Sequence, residues 1–372
     1  MFKIQNPLIR LIVFYTVFAA VVVIGTSFDY LYFKSSGIGE IDIITSVFFW
    51  CVAPLVMMLL LNRRRTDFRT LLLVGVFLRV IAYLMLAFMS PTKELLFTYN
   101  FLFGTGIFLI WVPFNIMYFG ISQGKEAQLG TIYFSMGPLL SLVLPLGAGL
   151  IAEQFGFHAV FILTSIAYLI LGTVVFLLDK TKYVHDLKEC FKEIDGFKTL
   201  ILTEGIYGGG MCATLAVIPL MYFTKPAELA VYLSATTLLS VIASFVSSRL
   251  SDKAKKRKKY ISFFGSGLAI TNVLGTLAST ASLWYLFMSA RNFFITLFLP
   301  FTTAIIVDNK RDMVKSMVGR ECVLNVGRFL GAGIVLACTL FFNIFLSLGI
   351  LGVVMLCYPL IIELKKRKIR VG

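Results

Sequence analysis

This sequence predicts an all-α membrane protein of twelve transmembrane helices arranged as two pseudo-symmetric six-helix bundles. Three observations lead there. Apolar types make up 59% of the 372 residues and charged types only 14%, where a soluble domain carries roughly a quarter charged residues. The apolar residues run in stretches close to the roughly 20 residues a helix needs to cross hydrocarbon. Similar segments also recur half a chain apart. Lipid offers no partner to an exposed backbone N–H or C=O, so such stretches must be helical.

Runs of apolar residues between polar breaks place the spans at 8–33, 40–61, 70–90, 95–121, 128–152 and 157–178, then 199–223, 228–248, 260–280, 283–307, 317–341 and 343–363. The tightest connections fall near Gly156 and Phe342. Seating the N-terminus in the cytoplasm assigns 28 of the 34 basic residues to that side, among them Arg320. It leaves Lys34, Lys93 and Lys225 outside and Arg79, Arg291 and Arg328 within spans. An asymmetry of this size predicts a multi-pass protein of the cell membrane with both termini cytoplasmic. The net charge of +15 then reads as loop bias, and SSRLSDKAKKRKKY (247–260) as an anchor between two spans instead of a nucleic-acid stripe.

The N-terminal stretch has the look of a signal peptide but is too long and lacks a small-residue cleavage site, so a retained first helix is expected. The six cysteines have no metal-like or disulfide-framework spacing, and no metal or cofactor is expected. DKTKYVHDLKECFKEIDGFK is the longest polar stretch. It reads either as a linker with a short surface helix bearing Val184, Leu187, Phe191 and Ile194, or as a plain solvated loop. It divides the chain into a bundle at 1–178, a cytoplasmic linker at 179–198 and a bundle at 199–372. Internal similarity supports the division: FLIWVPFN (108–115) precedes LGAG at 146, and FITLFLPF (294–301) precedes LGAG at 330. Paired six-helix halves are one transporter architecture.

SRLSDKAKKR (248–257) resembles the loop signature of the major facilitator superfamily, Gly-x-Leu-[Ser/Ala]-Asp-Arg-x-Gly-Arg-[Arg/Lys], in Leu250, Ser251, Asp252, Lys256 and Arg257. Lys253 stands for the first Arg, Ser248 for the first Gly and Lys255 for the second. RRRTDFR (63–69) keeps Asp67 and the basic character at the first-half position. NFLFGTG (100–106) is similar to the Arg-x-x-x-Gly-x-Gly segment of drug–proton antiporters, with Asn100 in place of Arg. LPLGAG (144–149) is similar to their helix-5 pattern, keeping Pro145 and Gly149. The resemblance implies alternating access, with Asp252, Lys253, Lys256, Arg257 and Asp67 as gating-loop residues. It also implies that the first and fourth helices of each half line a cavity, which makes Arg291 a substrate or coupling candidate and Arg79 a structural bridge.

Ionisable residues inside a membrane are functional candidates by default. Glu204 and Tyr207 share a face of span 7 beside Gly208, Gly209 and Gly210. Glu204 reads either as functional or as a residue at the cytoplasmic headgroups, capped or paired. Glu321, Asn325 and Arg328 fall on one stripe of span 11. Arg328 reads as essential to transport or as a structural bridge to Glu204 or Glu321, and Glu321 as an interfacial residue or a lock between halves. Arg291 and Asn292 sit in span 10. Asp29, near the outer end of span 1, reads as a gate or a headgroup-level acid. Trp111, Asn115 and Tyr118 make a row on span 4, beside a carbonyl freed by Pro113. That row reads as an aromatic wall for an amphipathic ligand or as interhelical packing.

Together these readings give a monomeric secondary transporter of small organic solutes, leaning to efflux of amphipathic compounds. Its partners would be a small-molecule substrate, protons as a candidate coupling ion and membrane lipids, and not nucleic acid. An organic-anion or lipid transporter of the same fold is the alternative. A membrane-embedded transferase or a non-transporting sensor is the rival of another class. No Walker-type GxxxxGK[ST] sequence is present, and an enzyme is not expected.

Overall fold

The computed structural model describes residues 6–121, 126–251, 257–309 and 312–364. The twelve expected spans are all helical. In order they are Pro7–Thr26 continued by Asp29–Ser35, Glu40–Leu60, Phe68–Phe88, Lys93–Ile121, Glu126–Phe155 and Phe157–Val175. The second six are Lys198–Tyr222, Pro226–Ser251, Arg257–Gly275, Ala281–Asn309, Met313–Phe341 and Ile344–Leu364. Eleven are long and apolar enough to cross a membrane by themselves. Span 9 opens with Arg257, Lys258 and Lys259, which shortens its apolar part, yet it packs against spans 10 and 12 as a full member of the bundle.

The breaks have local causes. Thr26 and Ser27 turn their hydroxyls back to the carbonyls of Val22 and Val23, a bond that bends helices, and span 1 is interrupted at Ser27–Phe28. Pro113 has no N–H to return to the preceding turn. The π-helical segment Ile107–Trp111 immediately before it takes up the mismatch. Gly156 closes spans 5 and 6 at φ +80°, a conformation that suits glycine.

Packing repeats with a period of six spans. Span 1 lies on span 5 as span 7 lies on span 11. The 3–6, 2–4 and 5–8 contacts recur as 9–12, 8–10 and 11–2. The last of these pairs joins the halves, which meet along spans 5–8 and 2–11. This is the pseudo-symmetric two-bundle architecture the sequence predicts. Span 7 runs backbone to backbone with span 11. A Cβ on Gly205 would lie 2.5 Å from the Leu324 carbonyl, and one on Gly327 would lie 2.6 Å from that of Leu202. The Gly208–Gly210 run lies within the unbroken helix Lys198–Leu215. Gly209 rests on the Arg328 backbone and Gly210 on Leu351.

The polar stretch between spans 6 and 7 is ordered, and it adds the only sheet among the described residues. β1 (Thr66–Asp67) pairs antiparallel with β2 (Lys182–Tyr183). The linker helix Leu187–Glu193 is capped by Asp186. Its inward residues are Cys190 and the following Ile194, whereas Val184 is exposed, so the expected apolar face is right except at that end. The stretch holds the first half through Asp186 with Arg63 (2.7 Å) and Leu187 N–H with Asn62 (3.1 Å). It holds span 11 through Glu189 with Lys315 and through the Asp312 N–H donated to Glu193 (3.0 Å).

Candidate functional site

The buried polar residues fall into separate groups. In the first, Arg291 of span 10 donates from Nε to the Tyr207 hydroxyl (3.1 Å) and from Nη1 to Asn292 Oδ1 (2.9 Å). Asn272 of span 9 donates to the same hydroxyl from 3.0 Å. The Tyr207 oxygen thus accepts two N–H donors and keeps its own proton to give. Asn292 is fixed in turn by the carbonyl of Thr236 and by the Ser240 hydroxyl on its own carbonyl.

The second group lies along span 11. Arg328 Nη1 meets Glu321 Oε1 at 2.6 Å and Asn325 Oδ1 at 3.0 Å, and Asn325 Nδ2 also donates to Glu321. The expected stripe is real. Glu321 is a buried partner within its own helix, and the bonds of its carboxylate go to Asn325 and Arg328 and not across to the other half. The guanidinium lies 5.3 Å from the ring centroid of Trp50 on span 2, a cation–π contact across the two halves.

Arg320 joins the third group, and here the sequence reading is corrected. It is not a loop cation: it sits inside span 11 and pairs with Glu204 at 2.5 Å, with both side chains largely buried. A basic residue about two turns into a helix is indistinguishable from loop charge in a linear count. Glu204 is therefore a paired residue, its partner being Arg320 and not Arg328. Its Oε2 and the Arg320 Nε have no hydrogen-bond partner among the described residues.

Span 4 is more closed than expected. Asn100 is buried, accepts from Tyr30 and donates to Ser46, tying spans 1, 2 and 4 together. Asn115 accepts a hydrogen bond from Tyr133 of span 5 (2.9 Å). Trp111, Tyr118, Tyr15 and Phe114 pack around that same tyrosine. The Trp111–Asn115–Tyr118 row is thus covered by Tyr133 instead of forming an open wall. Tyr133 also lies in the field of Arg320 and Glu321.

Arg79 makes no ion pair among the described residues, so the expected structural bridge is absent. It is buried with its guanidinium 3.2 Å from the Phe103 ring centroid, and its Nε and Nη1 lack acceptors. Asp67 caps span 3, accepting from the Thr70 N–H (2.9 Å) and hydroxyl (2.8 Å). Burial opposes its charge, but these bonds and Lys180 win and hold its carboxyl below the usual range. Asp252, Lys253 and Lys256 lie outside the described residues, as does the side chain of Arg257.

Arg291 and Arg328 share one neighbour. Cys212, in the middle of span 7, is exposed although it lies within the field of both arginines and of Cys51 and Tyr30. Charged and polar groups of spans 1, 2, 10 and 11 thus act on one exposed point of span 7, whereas Glu204 pairs with Arg320. Trp50, Cys212, Tyr30 and Asn272 were absent from the sequence-based candidates. An apolar cysteine or an isolated tryptophan gives no linear signal of the space it faces. A cleft of about 430 Å³ is lined by Phe48, Phe49, Val52, Phe97, Thr98 and Phe101, none of them charged.

The sequence matches no protein-family profile and no curated protein. Solved structures resemble it over nearly the whole chain. A POT family transporter in complex with 5-aminolevulinic acid is 13% identical with a TM-score of 0.76, covering 99% of this chain and 98% of its own. The E. coli fucose:proton symporter FucP is 12% identical with a TM-score of 0.68 (97% and 99% covered). The human organic anion transporter MFSD10 is 10% identical with a TM-score of 0.64 (96% and 100% covered).

Proposed function

We propose, from the premise that this chain has the major facilitator fold, that it is a secondary transporter moving a small organic anion by alternating access. The halves 1–178 and 199–372 rock about spans 2, 5, 8 and 11, strapped by 179–198, with the basic end of the bundle in the cytoplasm. The observation carrying the substrate class is the convergence of Arg291 and Arg328 on the accessible Cys212. Arg328 already spends one N–H on Glu321, so the pair carries a net positive charge toward that point. A guanidinium matches a carboxylate geometrically. Tyr207 keeps a hydroxyl proton beside Arg291, and Trp50 supplies an apolar face. Of the two substrate readings the sequence left open, this favours the organic anion over amphipathic efflux, whose aromatic wall is covered by Tyr133. An organic anion transporter is among the structures of like fold.

Purified protein in liposomes, given a tracer panel of aromatic and aliphatic carboxylates, lipophilic cations and neutral sugars, tests this. Carboxylates should exchange, R291Q and R328Q should each abolish the exchange, and the same carboxylates should protect Cys212 from an anionic thiol reagent. Uptake of lipophilic cations with no carboxylate exchange would overturn the reading. Loading the tracer on either side reports direction.

A further inference from the structure

Three carboxylates among the described residues are buried: Asp29, Glu204 and Glu321. An arginine neutralises each of the last two at contact distance. Asp29 makes no ion pair among the described residues. Its Oδ1 accepts the Tyr30 N–H (2.8 Å) and its Oδ2 accepts the Tyr99 hydroxyl (2.9 Å). The Tyr99 hydroxyl also stands 3.3 Å from that of Tyr83.

The groups facing this acid are few. Tyr30 and Tyr32 lie on its own helix piece. Span 3 contributes Arg79 and Tyr83, span 4 contributes Tyr99 and span 6 contributes Tyr168, which stacks on Tyr83. His158 packs on Tyr32 and is bonded to the carbonyl of Ala87. Arg79, a buried cation with no ion pair among the described residues, therefore faces the acid across phenols. Burial opposes a charge on Asp29, while the Tyr99 hydroxyl and the field of Arg79 favour it.

We propose that Asp29 is the proton-binding group of the cycle and that Tyr99 and Tyr83 form a reversible hydrogen-bond relay to it. Tyr99 has one hydroxyl proton and two acceptors within reach. With Asp29 ionised, Tyr99 donates to the carboxylate and Tyr83 donates to Tyr99. When a proton from water binds Oδ2, that O–H donates to the Tyr99 oxygen, and Tyr99 turns its own proton to Tyr83. One proton enters, no other bond breaks, and the two donations reverse direction. Asp29 also begins the second piece of span 1, next to the interruption at Ser27–Phe28. Gly25, one turn earlier, is so close to Tyr83 that a Cβ there would collide with the phenol. Reversing the relay therefore acts on the joint between the two pieces of a helix that packs on spans 5 and 6.

The coupling role rests on the transport reading, but proton binding is measurable without it. Infrared difference spectra of the purified protein over a pH series should show a protonated-carboxyl C=O band that disappears as pH rises. D29N should lack the band, E204Q and E321Q should retain it, and Y99F should shift its frequency because its hydrogen-bond partner is gone. Circular dichroism and gel filtration report whether each variant folds, and Y99F keeps the test alive if D29N does not. A band that survives in D29N, or one lost in E204Q or E321Q instead, overturns the proposal. In liposomes with the carboxylate chosen by the tracer panel, D29N should keep equilibrium exchange and lose accumulation driven by a pH gradient. Gradient-driven accumulation at the wild-type level would overturn the coupling role. A titrating Asp29 band with no tracer flux would refute the transport reading and leave the proton site standing.

Discussion

The two halves share a packing plan yet treat buried charge in opposite ways. In the second half each buried acid among the described residues is matched by contact: Glu204 with Arg320, and Glu321 with Arg328. In the first half one acid and one cation are buried without contact, Asp29 facing Arg79 across Tyr99 and Tyr83. A contact pair fixes its charges, because separating them leaves two uncompensated ions in low dielectric. An acid and a cation separated by phenols can change their total charge by one proton while the hydrogen bonds rearrange. The second half is therefore built to hold charge steadily and the first half to vary it.

The largest effect should come from breaking a contact pair. R328M strands Glu321, already tied to Asn325, and should cost about 3–5 kcal/mol of stability. The double variant R328M/E321L should recover most of that loss, since a buried pair replaced by well-packed apolar side chains is often neutral. Thermal unfolding in detergent measures both. A double variant no better than R328M would show that Asn325 or Trp50, and not the ion pair, carries the energy.

Arg79 gives the opposite expectation. With no carboxylate in contact and two N–H groups lacking acceptors, R79M leaves no stranded partner. It should stay within about 1 kcal/mol of the parent or be more stable. A loss as large as that of R328M would erase the difference between the halves, and would mean that Asp29 and Arg79 act as an ion pair despite the intervening tyrosines.

Legibility in the sequence follows from what leaves a periodic or compositional trace. All twelve spans were readable because hydrocarbon imposes a length and an apolar content on each. Glu321, Asn325 and Arg328 were readable as a stripe because a helix repeats its faces. Arg320 was misread because polar residues at a span's end and those about two turns inside look alike. The β1–β2 pair is two residues per strand, too short for any alternation. The Asp29 relay joins residues 29, 83 and 99, a juxtaposition set by tertiary packing of spans 1, 3 and 4. Tyr133 covers the span 4 row from another helix, so the row alone could not say whether it was open.

Tyr133 stands where the first half's aromatic cluster meets the second half's charges. Y133F removes one hydroxyl and leaves the Asn115 oxygen without its donor, a loss of about 1 kcal/mol. Its ring contacts with Tyr15 and Phe114 stay. Tracer exchange should be affected less than by R328Q. A greater effect on exchange than on melting would show that the hydroxyl serves the junction between the halves, beyond packing the first.

The smallest expected effect lies outside the membrane, in the segment that ties the unlike halves together. Buried His185 bonds through Nε2 to the Met58 carbonyl (3.0 Å), so Nε2 carries the proton, and Nδ1 has no partner among the described residues. Burial lowers the imidazole pKa below 6.5, outweighing the Met58 bond and the nearby Asp186. A group held neutral in the folded state stabilises it fully above its unfolded pKa and loses that contribution as pH falls through the lower folded value. The docked linker should therefore hold at neutral pH and loosen on acidification, because a proton on Nδ1 would be buried without an acceptor. Hydrogen–deuterium exchange of residues 179–198, corrected for intrinsic rates, should rise below pH 6.5 in the parent and show a flatter response in H185Q. Equal pH responses in the two would place the sensitivity elsewhere, in the Asp186–Arg63 or Glu189–Lys315 pairs, and would make the strap a passive tether between a half that fixes charge and a half that varies it.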